Sequence, residues 1–150
     1  MNGYDAVVVG GGPGGSTVAW RLARGGAKVL VLDAATFPRV KLCAGWVTKQ
    51  VLRDLEFDFA AYPHTIQPFE AIYIGCGDKL HETRWREPAS YGIIRAEFDT
   101  FLLRQAETAG AAVREGVRVR GLERVLGGVR LDLGGEKIEA PLVVGAGGHA

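Results

Sequence analysis

Residues 5–33 read DAVVVGGGPGGSTVAWRLARGGAKVLVLD. The opening apolar run predicts a strand over 5–9. Gly10, Gly12 and Gly15 follow at the G-x-G-x-x-G spacing. A helix with Val18, Ala19, Leu22 and Ala23 on one face runs to Gly25-Gly26, and a second strand over 28–32 is closed by Asp33. Each part has a mechanical reason. Gly10 allows a tight turn, Gly12 lets backbone approach a pyrophosphate, and Gly15 lets the helix pack closely on the strand. The helix N-terminus offers N–H groups and partial positive charge to phosphates. Asp33 lies 23 positions beyond Gly10, where a carboxylate accepts from ribose hydroxyls. The run reads as a dinucleotide-binding βαβ unit.

The surrounding composition narrows the class. The chain has 150 residues, 47% hydrophobic and 23% charged, which suits one globular domain with a core. Its 18 basic and 17 acidic residues nearly balance, so no nucleic-acid face is expected. No apolar run reaches the length of a transmembrane segment. The first strand begins almost at Met1, so a signal peptide is not expected. Cys43 and Cys76 form neither a disulfide framework nor a metal site. The expectation is a reducing cytoplasmic setting, with peripheral membrane contact left open. The 22 glycines sit at turns between apolar runs, and no internal repeat is visible.

Downstream of Asp33, the stretch ATFPRVKLCAGW reads as a loop. A short helix is predicted around 48–55, and irregular chain over 56–68 around Pro63 and Pro68. Residues 69–75 and 79–85 read as a hairpin around Gly77-Asp78, with a further strand near 91–94. Residues 97–109 are a predicted helix with Phe98, Phe101, Leu102, Ala106 and Ala109 on one face, ended by Gly110. A strand begins at 112–114. A meander over 117–140 follows, with Val129, Leu131 and Leu133 alternating with Arg130 and Asp132. Leu142-Val143-Val144 reads as a buried parallel strand ending in glycines. The fold class is α/β: a Rossmann-like parallel sheet with a three-stranded β-meander crossover and part of a mixed substrate domain. The meander replaces a helical crossover, which favours FAD over NAD. The expected division is 1–60 with 92–150 as an incomplete FAD-binding domain, and 61–91 as part of a substrate-domain insertion.

Six stretches together resemble one family: GGGPGGS at 10–16, Asp33, FPRVKLCAGW at 37–46, YGIIRAEFDTFLLRQA at 91–106, GVRV at 116–119 and LVVGAGG at 142–148. The chain resembles the N-terminal part of the FAD-dependent geranylgeranyl reductase family, within the larger para-hydroxybenzoate hydroxylase-like group. The resemblance implies that Gly10, Gly12, Pro13, Gly14 and Gly15 cradle the FAD pyrophosphate and that Asp33 holds the adenosine ribose. It implies that Arg95 reaches phosphate or ribityl oxygens, that Val119 meets the adenine through its backbone, and that Cys43, Ala44 and Gly45 lie near the flavin ring and substrate. Cys43 is the candidate catalytic residue. Two departures from the family pattern stand out: Gly147 occupies a position where relatives carry an aspartate, and Ala44 one where they carry glycine.

Several of these residues have plainer readings. Arg95 could cap or pair on its own helix, Val119 could be strand core, and Arg39 and Lys41 read equally well as solvated loop. Cys43 could be a small buried side chain, Cys76 reads as structural, and Trp20 reads as packing. Trp46 and Trp85 are candidates to face a substrate cavity. His64, His81 and His149 show no pairing pattern and read as non-catalytic. The expected function is hydride transfer through FAD to an unsaturated, isoprenoid-type substrate. The expected partners are a hydrophobic small molecule and an electron source, either NAD(P)H or a donor protein. The alternatives are a flavin monooxygenase or halogenase of the same fold, and a non-catalytic nucleotide-binding fragment.

Overall fold

Strand β1 (Ala6–Val9) enters the glycine turn, helix α1 (Pro13–Arg24) leaves it, and β2 (Val29–Leu32) completes the βαβ unit. Strand β3 (Trp46–Thr48) leads into the short helix α2 (Lys49–Asp54), where the Thr48 hydroxyl caps by accepting from the Val51 N–H at 3.3 Å. Next come β4 (Gln67–Phe69), the hairpin of β5 (Ala71–Cys76) and β6 (Lys79–Arg84), and β7 (Ser90–Gly92). Helix α3 (Arg95–Thr108) is followed by β8 (Ala112–Arg114). The meander β9 (Gly121–Val125), β10 (Gly128–Asp132) and β11 (Lys137–Ala140) then precedes the return strand β12 (Leu142–Gly145).

These assignments come from a computed structural model that describes residues 3–148. The chain divides into two compact units: residues up to Arg39 together with those from Asp99 onward, and residues 40–98. The sequence expectation had grouped 40–60 and 92–98 with the first of these.

The first unit is built on a parallel sheet in the order β12-β1-β2-β8. Val8 stands opposite Val31 on one side and Val144 on the other. Residues of β1 and β2 are buried on both faces, which is why both strands read as unbroken apolar runs. On one face, Val8, Val29 and Val31 pack with Ala19 and Trp20 of α1 and Leu103 and Ala106 of α3. On the other, Val7, Leu30 and Leu32 meet Leu131, Ile138 and Ala140 of the meander. Burying each such Val, Leu or Ile contributes about 1.5–3 kcal/mol. Helix α3 ends where expected: Gly110 sits at φ +106, and Ala111 N donates to Ala106 O at 3.1 Å.

Two expectations for this unit need correction. Leu142-Val143-Val144 does form a parallel strand, but β12 lies at the edge of the described sheet and Leu142 stays 48% exposed. A single neighbour leaves one flank of the run open. The meander also begins at Gly121, not 117, so Val119 belongs to no strand among the described residues.

The second unit holds a small antiparallel sheet, β3-β7-β4, and the β5-β6 hairpin. The hairpin turns at Gly77 with φ +59, as the Gly-Asp signal implied. Pro68 falls in β4, an edge strand, where a missing N–H is tolerated. Leu52, Leu55, Tyr62, Ile93 and Phe98 are buried, with the Phe57 and Phe98 rings stacked at 5.5 Å. Burial and the neighbouring Glu97 carboxylate push the Tyr62 hydroxyl up to about 12. Strand β3 was not expected. It is three residues long and largely exposed, so it leaves no period to read.

Candidate functional site

The glycine turn is fixed by close approaches that a side chain would block. Gly10 sits at φ +111, and a Cβ there would run into the Ala146 carbonyl oxygen. A Cβ on Gly15 would collide with the Gly10 carbonyl oxygen, so the helix lies on the turn only because Gly15 lacks one. The buried Ser16 hydroxyl donates to Gly11 O at 2.8 Å and braces the turn from inside. Gly12 caps α1 with extended backbone and no side-chain cap, and no acidic residue stands in the first turn. The helix start is thus a positive pole with no side chain of its own answering it.

Asp33 closes the opposite wall. Its Oδ2 accepts from Gly11 N at 2.6 Å and its Oδ1 from Ala35 N at 2.8 Å. The carboxylate is clamped to the turn, and each oxygen keeps further acceptor capacity for a hydroxyl.

Between these walls lies a cavity of about 210 Å³, where Gly10, Gly12, Asp33 and Val119 come together. Val119 is half-buried, lines this space and packs against the core beneath the meander, though outside any strand among the described residues. Gly147 also lines it. Of the other cradle candidates, Gly15 is buried beneath the turn, Pro13 is half-buried, and Gly14 is exposed with open space around it. Arg39 and Arg118 line the cavity too. From sequence Arg118 carries no role, and Arg39 reads equally well as solvated loop. Arg39 is held in place: its Nη2 lies 3.3 Å from Oδ2 of the fully buried Asp99, and its guanidinium stands 4.9 Å from the Phe37 ring centre.

The remaining candidates belong to the unit spanning 40–98. Cys43 is exposed, which overturns the buried-side-chain reading, and its Sγ accepts from Gly45 N at 3.4 Å. Gly45 sits at φ +70 and its Cβ would strike the Ile93 carbonyl oxygen. Ile93 N donates to Gly45 O at 2.7 Å. Glycine at 45 is therefore required by backbone packing, whatever else the loop does. Ala44 is exposed, and Arg95 is the half-buried first residue of α3. Trp46 and Trp85 line an apolar cavity of about 420 Å³ with Phe69, Ile72 and Ala89. Trp20 packs in the first unit's core, and Cys76 is exposed. His64 Nδ1 lies 3.8 Å from Glu97, His81 is exposed on β6, and His149 lies outside the described residues. No group of three His, Cys, Asp or Glu among the described residues is arranged to hold a metal ion.

Known proteins resemble this chain in sequence and fold. The chain is 36% identical to a geranylgeranyl diphosphate reductase of Rhodobacter capsulatus, over 97% of this chain and 37% of that protein. It is 33% identical to a flavin-dependent halogenase of Armillaria mellea, over 77% of this chain and 24% of that protein. A solved geranylgeranyl bacteriochlorophyll reductase-like protein of Thermoplasma acidophilum superposes with TM-score 0.82 at 26% identity, over 97% of this chain and 39% of that one. The chain thus spans well under half the length of these relatives. A family described as FAD binding domain matches residues 3–150, a stretch that takes in the glycine turn, Asp33, the meander and the return strand, and the chain belongs to that family.

Proposed function

We propose that the chain forms the FAD-binding part of a flavin-dependent oxidoreductase of the geranylgeranyl reductase type, acting on an unsaturated, isoprenoid-like small molecule. The observation that carries this reading is the cavity in which the side-chain-free turn at Gly10 and Gly12 faces the clamped carboxylate of Asp33. The residues fit the cofactor. The turn has no Cβ to keep a pyrophosphate off the N–H groups at the head of α1, and Asp33 has acceptor capacity left for a ribose hydroxyl. Val119 would present backbone to the adenine, and Arg95 would reach phosphate or ribityl oxygens. Bound FAD would supply hydride transfer at its ring.

On the substrate side, Cys43 would shape the pocket from an exposed loop, beside Ala44 and Gly45. The apolar cavity with Trp46 and Trp85 would take a hydrophobic substrate. NAD(P)H or a donor protein would supply the electrons. The proposed compartment is the cytoplasm, with peripheral membrane contact. No helix among the described residues is long and apolar enough to cross a membrane.

A second reading, flavin-dependent halogenation or monooxygenation, is favoured by the 33% identity to the Armillaria halogenase. Full-length protein should release FAD on denaturation. Recovery of no nucleotide after reconstitution with FAD would overturn both readings. Oxygen uptake coupled to NAD(P)H oxidation in the presence of substrate would favour the second. Anaerobic reduction of an unsaturated substrate would favour the first.

A further inference from the structure

We infer that Arg39 is the side-chain anchor for the cofactor's pyrophosphate, an inference that rests on the FAD-binding reading of this cavity. A Cβ on Gly12 would lie 3.2 Å from Arg39 Nη2, so the guanidinium sits against the N-cap of α1. That is an unfavourable place for a cation, because the helix N-terminus is itself positive. The rest of α1 follows the opposite rule, with Arg21 and Arg24 in its last turn. An anion in the cavity that touched both the guanidinium and the N–H groups of the helix start would offset that repulsion.

Asp99 supplies one counter-charge, but it is fully buried and does not line the cavity, whereas Arg39 does. The guanidinium also has capacity in reserve. Its Nη1 is buried and has no hydrogen-bond partner among the described residues, a cost normally removed by a ligand or water. The Phe37 face and the Asp99 carboxylate fix the plane of the group, leaving a donor fork of the kind that matches phosphate oxygens. Gly12 therefore has a second use: its missing side chain makes room for the cation as well as for the ligand.

The test is FAD titration onto the full-length apoprotein at several ionic strengths. Arg39→Gln should weaken FAD binding by about ten- to a hundred-fold, the range for losing a charge-assisted hydrogen bond. It should also flatten the dependence of affinity on salt, because one charge facing the pyrophosphate is gone. Arg39→Lys should restore the salt dependence. Arg39→Gln alone takes the Arg39 charge away from the buried Asp99 carboxylate and can fail to fold, so the double variant Arg39→Gln/Asp99→Asn removes both charges and carries the test. The double variant should fold and bind weakly with the flattened salt dependence. If it binds FAD with wild-type affinity and salt dependence, the inference is overturned. Wild-type protein that takes up no FAD at all would instead overturn the functional reading beneath it.

Discussion

The two units of this chain solve the problem of building a site in opposite ways. The first makes its cavity out of backbone. Its walls are a glycine turn, a helix start and a carboxylate tied to main-chain N–H groups, over a core in which Val7, Val8, Val31 and Leu32 are fully buried. The second makes its cavity out of side chains on thin, exposed sheets. Trp46 is 60% exposed and Leu80 71%. A backbone site tolerates almost no change in covalent shape, while a side-chain site can change its lining without disturbing the frame. The glycine-turn cavity should therefore be brittle and the cavity lined by Trp46 and Trp85 permissive.

The strongest way to break that contrast is to add single methyl groups to the turn. Gly15→Ala should cost about 1–3 kcal/mol by overpacking, and Gly10→Ala should add about 1–2 kcal/mol of left-handed backbone strain to a similar clash. Both should abolish FAD retention. Gly14→Ala, two positions into the helix with open space around it, should leave thermal stability unchanged or raise it by up to about 1 kcal/mol. Equal melting temperatures for Gly14→Ala and Gly15→Ala would refute the brittle-turn picture.

Asp33→Ala is the next largest effect. FAD affinity should fall by about 1–3 kcal/mol, and stability should fall as well, since the N–H groups of Gly11 and Ala35 lose their acceptor. Unchanged affinity by titration would remove Asp33 from the site. On the exposed loop of the second unit, Cys43→Ser should keep flavin content near normal and lower turnover of the true substrate. Equal turnover at matched flavin content would leave Cys43 without a role.

The smallest effect tests the core of the second unit. In an ultraviolet pH titration, one tyrosine should ionise at about 12, and Tyr62→Phe should remove that step. A folded-state value above the unfolded 10.0 means that this group favours the fold at lower pH. That contribution is fully present below pH 10 and is lost as pH rises through about 12. A wild-type titration without the late step would show Tyr62 to be solvated, and the second unit to be looser than described.

What was legible in the sequence follows the same division. The first βαβ unit could be read because its signals are local: an apolar run, glycines at fixed offsets, a helical stripe and an acid at the end of the next strand. Helix α3 and the meander could be read from their periods for the same reason. Strand β3 could not, since three exposed residues carry no period. The edge position of β12 was hidden because an apolar run does not say how many neighbours a strand will have. Arg39 was missed because what gives it meaning is Asp99, on a helix far along the chain, and a long-range ion pair leaves no mark in either local pattern.

The clamp on Asp33 has a consequence for how quickly this protein could capture a ligand. An acid on a mobile loop must be ordered at the moment of encounter, and that ordering is subtracted from affinity. Here the two backbone hydrogen bonds align the carboxylate during folding, so arrival of a nucleotide finds the receptor already in shape. Capture through such a wall should be lock-and-key, with association limited by collision and dissociation setting the residence time.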